Sequence, residues 1–369
     1  MKELKVLDPP ASFHYTVYIA DFQGCGYIRV LLPIALVNQS QFKGYSIRGS
    51  YNSTFINDIR FYKNLTWVQF QRAYTEAHLK TIKHYTVNVS KVTKTPILYE
   101  IDDLLFDIPK WNYAAGHYNK NADTVKKILD LVRGVTCSTE KLKEAYSEYN
   151  DNIVVIPNHL VKSIWGDIKV KHENEPNEKK PRILYFGSSN HFSTSQLVKG
   201  GIRGGDFSPE LIEFIKKTVT KYQWIIAGGF PEELKLLISH GVIEYHPWQP
   251  ILYIPNYLKQ IDADIGIAPL EQNNFNECKS NIKALEYSAL GIPAVYTNIE
   301  PYKDMKCTCD TTSYMIDRIE SLAASVDIRK QVYNDQYEVV KDQLFWEENG
   351  NIKKYINAYL SLFGKKMRD

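Results

Sequence analysis

The chain has 369 residues, 44% hydrophobic and 24% charged, with a net charge of +3. Those values suit a folded chain of about two domains and exclude a global basic field for nucleic acid, though not a local basic groove. No apolar run reaches the ~20 residues of a membrane span, the opening "MKELKVLDPP" has no apolar signal core, and Cys25, Cys137, Cys278, Cys307 and Cys309 lack metal or redox spacing. Reduced thiols in a cytoplasmic protein without a membrane span are expected.

In chain order, short apolar runs alternate with helical segments. The pattern predicts strands at "HYTVYIA" (14–20), "YSIRGS" (45–50), "TWVQFQ" (66–71), "PILYEI" (96–101), "GVTCS" (134–138) and "NIVVIPN" (152–158). Helices are expected between them at 27–38, 75–90, 122–132 and 139–149. The charged stretch "KVKHENEPNEKKP" (169–181) has no apolar periodicity and reads as a solvated linker. The rhythm then restarts with "RILYFGS" (182–188), "QWIIAGG" (223–229), "VIEYHP" (242–247), "ADIGIAPL" (263–270) and "PAVYTN" (293–298), and from about 312 the chain reads as helices only. Such alternation predicts α/β architecture with parallel sheets, here two Rossmann-like domains facing a cleft. Ligands of open parallel sheets bind beyond the carboxyl ends of the strands, so residues just after each strand are the candidates.

Five stretches satisfy that rule. "DFQGCGYIRV" (21–30) offers Gly24, Cys25 and Gly26 in a tight turn, then Arg29, before a helix whose amino end suits an anion. An ordinary strand-to-helix turn explains it equally well, and Arg29 breaks the dinucleotide fingerprint. "FQRAYTEAH" (70–78) puts Arg72 after a strand, where it could meet phosphate or acceptor, although a surface arginine at a helix start is commoner. In "YEIDDLLFDIP" (99–109), Glu100, Asp102 and Asp103 fall at a strand end. A divalent metal would want acids converging from several elements. The second half has no matching acidic cluster, so a reaction-centre or acceptor role is favoured over metal.

The loop "YFGSSNHFSTSQLVKGG" (185–201) supplies Gly187, Ser188, Ser189 and Asn190 as phosphate donors, with His191 beside them, although a loop histidine is more often simply solvated. In "NNFNECKSNIKALEYSALGIPAVYTNIEPY" (273–302), Lys279, Lys283 and Glu286 are spaced i, i+4, i+7 and so share one helical face, with Ser280 as the expected N-cap before Asn281. Lysines at a helix amino end oppose its dipole, which favours a diphosphate site over a purely structural helix. A carboxylate two turns on could accept from both ribose hydroxyls. Trp248 in "HPWQPILY" (246–253) could stack on a base, although a packed tryptophan is the default.

"KSNIKALEYSALGIPAVYTNIEPY" resembles the donor-site helix of GT-B glycosyltransferases, especially the retaining kind related to glycogen and sucrose synthases. The resemblance spans roughly 15–345 and places Glu286, before "GIPAV", at the ribose-binding position. The family's earlier glutamate falls on Cys278. The Gly-Cys-Gly turn and "ILYEIDD" further resemble phage glycosyltransferases that modify hydroxymethylated DNA bases, which implies Asp102, with Asp103, as the catalytic aspartates. That group's preceding histidine is Ile101 here.

The implied activity is transfer of a sugar, with retention, from a nucleotide-sugar, UDP-linked by family habit, to a hydroxymethylated pyrimidine such as hydroxymethylcytosine in DNA, in the host cytoplasm if the chain is phage-encoded. No cofactor and no essential divalent metal are expected. Arg72 and Glu100 would serve the acceptor, and the basic stretch 76–95 could follow DNA phosphate or an anionic membrane. A lipid or polysaccharide acceptor and a non-catalytic nucleotide-binding module remain alternatives. The expected organisation is an acceptor domain at 1–168, a linker at 169–181, a nucleotide-sugar domain at 182–340, and a terminal helix at 341–369 returning to the first domain.

Overall fold

A computed structural model describes residues 4–171 and 180–368. The strands are β1 (Lys5–Leu7), β2 (Ala11–Ile19), β3 (Tyr45–Asn52), β4 (Trp67–Gln71), β5 (Ile97–Ile101), β6 (Gly134–Cys137), β7 (Ile153–Val155), β8 (Arg182–Gly187), β9 (Gln223–Gly228), β10 (Glu244–His246), β11 (Ile265–Ala268), β12 (Ala294–Thr297), β13 (Thr308–Cys309) and β14 (Lys365–Met367). All but β1 and β14 form two six-stranded parallel sheets, ordered β3-β2-β4-β5-β6-β7 and β10-β9-β8-β11-β12-β13. Every residue of β4 and β5 is buried, as expected of parallel strands covered on both faces. This is the two-domain α/β GT-B frame.

The order reverses between β2 and β4 in the first sheet and between β8 and β11 in the second. A crevice opens at each reversal, beyond the carboxyl ends of the strands. The first holds Asp21–Arg29 after β2 and Arg72 after β4; the second holds Ser188–His191 after β8 and Glu271 after β11.

The tail is not all helical. After the helix Asn351–Ser361, β14 pairs in parallel with β1. Lys365-Lys366-Met367 and Lys5-Val6-Leu7 are too short and too charged to announce a ladder. The tail packs on the first sheet: Trp346, Tyr355, Ile356, Tyr359 and Leu360 share a core with Phe13, Tyr15, Val17 and Trp67. Tyr359 stacks on Trp67 at 5.2 Å between centroids and donates to Gln69 Oε1 at 3.0 Å. The two chain crossings between the domains are tied together. Leu160 N donates to Leu344 O at 2.8 Å, and Trp346 N to Leu160 O at 2.9 Å. Of the linker expected at 169–181, residues 172–179 lie outside the described residues.

Candidate active site

On the first sheet the site begins with Arg72, at the end of β4 in a left-handed conformation (φ +51°). Its Nη1 donates to Asp102 Oδ1 at 2.7 Å, Asp103 Oδ2 at 2.9 Å and Cys25 Sγ at 3.2 Å. Burial raises the Asp103 carboxyl, but Arg72 and then Lys279 outweigh it and hold the group below its usual range. Burial, followed by Asp102, pushes the Cys25 thiol well up despite Arg72. Cys25 and the two aspartates place ligand atoms within 4.8 Å of one another, as a cation site would. The guanidinium nitrogen already stands among those atoms, and the thiol keeps its proton. The residues present therefore fit an internal counterion better than a metal.

Arg29 and Glu100 stand elsewhere than expected. Arg29 Nε bonds Glu100 Oε1 at 2.7 Å, and Nη1 reaches Ile156 O at 2.6 Å and Asn158 Oδ1 at 2.8 Å. Both are nearly inaccessible, at 5% and 1%. Burial raises the Glu100 carboxyl and Arg29 opposes the rise. Sequence placed them at the donor and acceptor faces. The structure makes them a buried ion pair beneath the helix after β2, because a charge beneath that helix needs a partner. The turn at 24–26 is also corrected, since Gly24–Gly26 is the first turn of that helix, continued by a π-helical stretch, Tyr27–Leu31. Only Gly26 requires the absence of a side chain: a Cβ there would lie 1.7 Å from Asp21 O, whereas Gly24 has open space.

On the second sheet, Ser189–His191 make one 3-10 turn after Ser188. Gly187 and Gly228 are paired across β8 and β9, and a Cβ on Gly228 would meet Gly187 O at 2.2 Å and the Trp248 ring at 3.0 Å. Trp248 thus lies against Gly228, at the end of β9, with half its surface exposed (49%), free to take a planar group. Asn190 Oδ1 is buried without a partner. His191 is not a solvated loop residue. Its Nδ1 donates to Asp206 Oδ2 at 2.6 Å, and Asp206 Oδ1 accepts from Glu271 N at 2.9 Å and Asn276 Nδ2 at 2.7 Å. Asp206 was missed because it sits among glycines in "IRGGDF"; its distance from His191 closes only through the Phe192–Gly205 bridge.

The helix whose sequence resembles a donor site runs Ile282–Leu290. Its N-cap is Asn281, not Ser280, and Asn281 makes no capping bond because its side chain is engaged with Gln343. The first-turn amides therefore have no side-chain cap and can meet an anion. Ser280 Oγ instead accepts from Asn158 Nδ2 at 2.8 Å. Lys279 lies before the helix rather than on its face, with Nζ 4.5 Å from the Phe275 ring centre. Lys283 bonds Glu286 Oε2 at 2.9 Å and sits 3.6 Å from the Phe186 ring centre. Burial lowers its ammonium and Glu286 opposes. Glu286 is only 6% exposed and borders a small cavity shared with Ile28, Leu32, Ile251 and Pro255, at the seam of the two domains.

The two halves meet. Trp111 Nε1 donates to Glu271 Oε2 at 2.7 Å, Thr139 Oγ1 to Cys278 O at 3.0 Å, and Phe275 and Cys278 join the first domain's core. Asp103 lies within electrostatic reach of both Lys279 and His191. A larger cavity of about 460 Å³ lies at the amino-terminal ends of the second sheet, walled by Lys169, Leu184, Lys259 and Ile292. It is remote from these groups, and strand polarity argues against it as the reaction centre. Among the described residues no helix is long and apolar enough to cross a membrane.

No family model matches the chain, and no curated protein matches it by sequence. Solved structures do. A glycosyltransferase from Rickettsia africae ESF-5 superposes with TM-score 0.61 at 12% identity over 97% of this chain and 99% of that one. The lipopolysaccharide outer core galactosyltransferase WaaB, in its apo form, gives 0.55 at 13% identity over 95% and 99%. The S. aureus MnaA structure with UDP gives 0.50 at 11% identity over 98% and 99%. At such identities the likeness establishes the fold.

Proposed function

We propose that the chain is a glycosyltransferase, moving a sugar from a nucleoside diphosphate sugar, UDP-linked, to an acceptor hydroxyl with retention. One observation carries this reading. An acid pair clamped by arginine at one strand-end crevice faces an uncapped helix start with Lys279, Lys283 and Glu286 at the other. The cationic side suits a leaving diphosphate, whose charge needs preorganised support, and Glu286 suits the ribose hydroxyls. Asp102 and Asp103 then lie where the sugar carbon and acceptor would meet. UDP is named in one fold neighbour and glycosyl transfer in two others.

Calorimetry tests the donor half. Glu286→Ala removes an acceptor of two charge-assisted hydrogen bonds and should weaken UDP-sugar binding by about a hundredfold (~3 kcal/mol). Unchanged affinity sinks the assignment.

For the acceptor, this reading takes a hydroxymethylated pyrimidine of DNA, supported by the resemblance at 97–103 and by exposed Lys80, Lys83, Lys91 and Lys94 along 76–95. A lipid or polysaccharide acceptor is the second reading. It is favoured by Val87 and Val92, 52% and 62% exposed among those lysines, and by the neighbour named for lipopolysaccharide. UDP release stimulated by hydroxymethylcytosine DNA but not by lipid or glycan supports the first; the converse supports the second.

A further inference from the structure

His191 and Asp206 form a dyad whose free end opens on the cleft. The loop Ser188–Phe207 folds back on itself: Phe192 bridges Gly205, Asp206 N donates to His191 O at 2.9 Å, and the imidazole Nδ1 meets the carboxylate at 2.6 Å. The Asp206 side chain has no accessible surface, and its other oxygen is fixed by a backbone amide and the Asn276 carboxamide. Its orientation leaves the ring no freedom to turn. The ring edge packs on Gly187, where a Cβ would lie 3.3 Å from Cδ2. Among the described residues Nε2 has no protein partner, and it is not fully buried, the side chain being 18% exposed.

We propose, building on the nucleotide-sugar reading, that His191 takes up a proton at Nε2 when a nucleoside diphosphate docks, and that Asp206 is its positioning residue. Four charged groups face the ring: Asp206 on its own loop, Lys279 before the donor helix, Lys283 on it, and Asp103 from the first domain. The Tyr185 and Tyr302 hydroxyls lie toward Asp206 and stay protonated through burial. In the free protein, burial lowers the imidazole, Asp206 opposes, and the two lysines add to the lowering. The neutral ring keeps Nδ1–H on Asp206 and leaves Nε2 as an acceptor. A diphosphate arriving between Lys279 and the uncapped helix start offsets the lysines' charge. It thereby favours imidazolium, which donates Nε2–H to a phosphate oxygen while Nδ1–H remains on Asp206. The proton comes from solvent, and no covalent bond changes on binding.

The experiment is calorimetric titration of the full chain with UDP across about pH 6.5–8.5, in buffers of high and low ionisation enthalpy. Wild type should take up as much as about one proton per UDP, and its affinity should weaken by up to about tenfold per pH unit relative to His191→Gln. The terminal phosphate of UDP ionises near pH 6, a contribution common to both proteins that cancels in the comparison. Asp206→Asn, which keeps the shape but removes the charge, should shift the uptake to lower pH. Equal proton counts in wild type and His191→Gln overturn the proposal. If His191→Gln does not fold by circular dichroism, the wild-type count at about pH 7.5, where the terminal phosphate of free UDP is already ionised, decides alone, and zero uptake overturns it. UDP binding without this linkage overturns only the present inference. Failure of UDP, ADP, GDP and TDP to bind wild type overturns the nucleotide-sugar reading as well.

Discussion

Replacing Arg72 with methionine removes one charge while keeping a similar stem and the same demand on the backbone. Its side chain is 12% exposed, and Asp102 and Asp103 are 10% and 22% exposed, so water replaces the guanidinium only in part. Two charge-assisted hydrogen bonds are lost at about 1.5 kcal/mol each, a total near 3 kcal/mol, at the low end for breaking a buried pair. For a domain of this size the midpoint of thermal unfolding should fall by roughly 6–12 °C at pH 7. Asp103 sets the pH dependence. Its native carboxyl lies below its ordinary value, so its contribution is full above about pH 4 and fades as pH falls through the native value. The gap between wild type and variant should therefore be full at pH 7 and should narrow as pH falls below about 4. Calorimetric scans of both proteins across that range measure it, and UDP titration should show donor affinity retained. A loss under about 1 kcal/mol, or one equal at pH 7 and at about pH 3, refutes the internal-counterion account of Arg72.

Transfer should survive excess EDTA, because Arg72 Nη1 already stands among Cys25, Asp102 and Asp103; complete loss restored only by manganese or magnesium would make those acids metal ligands. Asp102→Asn should lower turnover by about a thousandfold with UDP binding intact, and a turnover within tenfold of wild type in a steady-state assay removes Asp102 from the chemistry. Burial lowers the His159 imidazole to about 4, with its bond to Gln343 O opposing, so the neutral form is native and stability falls as pH drops from about 6.5 to about 4. The full span is about 3 kcal/mol. His159→Gln should flatten the wild-type profile in that window by urea denaturation; parallel profiles would count against it.

The two parallel sheets were legible because strands covered on both faces are written mostly in apolar residues, as "WVQF" and "ILYEI" are apart from Gln69 and Glu100. Lys283 and Glu286 were legible as helix neighbours, and the structure brings them to 2.9 Å. Pairing across long separations was not. Arg29 and Glu100 lie 71 residues apart, and each alone looks like a strand-end ligand. Asp206 gains meaning only from the fold of its loop onto His191. Ser280 and Asn281 are equally good caps by composition, and packing against Asn158 and Gln343 turned both side chains to other partners. The β1–β14 ladder depends on bringing two remote charged tripeptides together, which no local pattern encodes.

The return of the tail to the first sheet sets an order of assembly during synthesis. One whole core of the second domain draws only on residues between Ile183 and Leu322, a continuous stretch that can close as soon as it leaves the ribosome. The first sheet, although translated earlier, cannot cover Tyr15 and Trp67 until Trp346, Tyr355 and Tyr359 arrive. Domains usually mature from the amino terminus; here the earlier half waits for the later one with an apolar face open. A nascent chain paused before residue 346 should therefore bind a hydrophobic chaperone through its first domain, and release should follow emergence of the terminal helix.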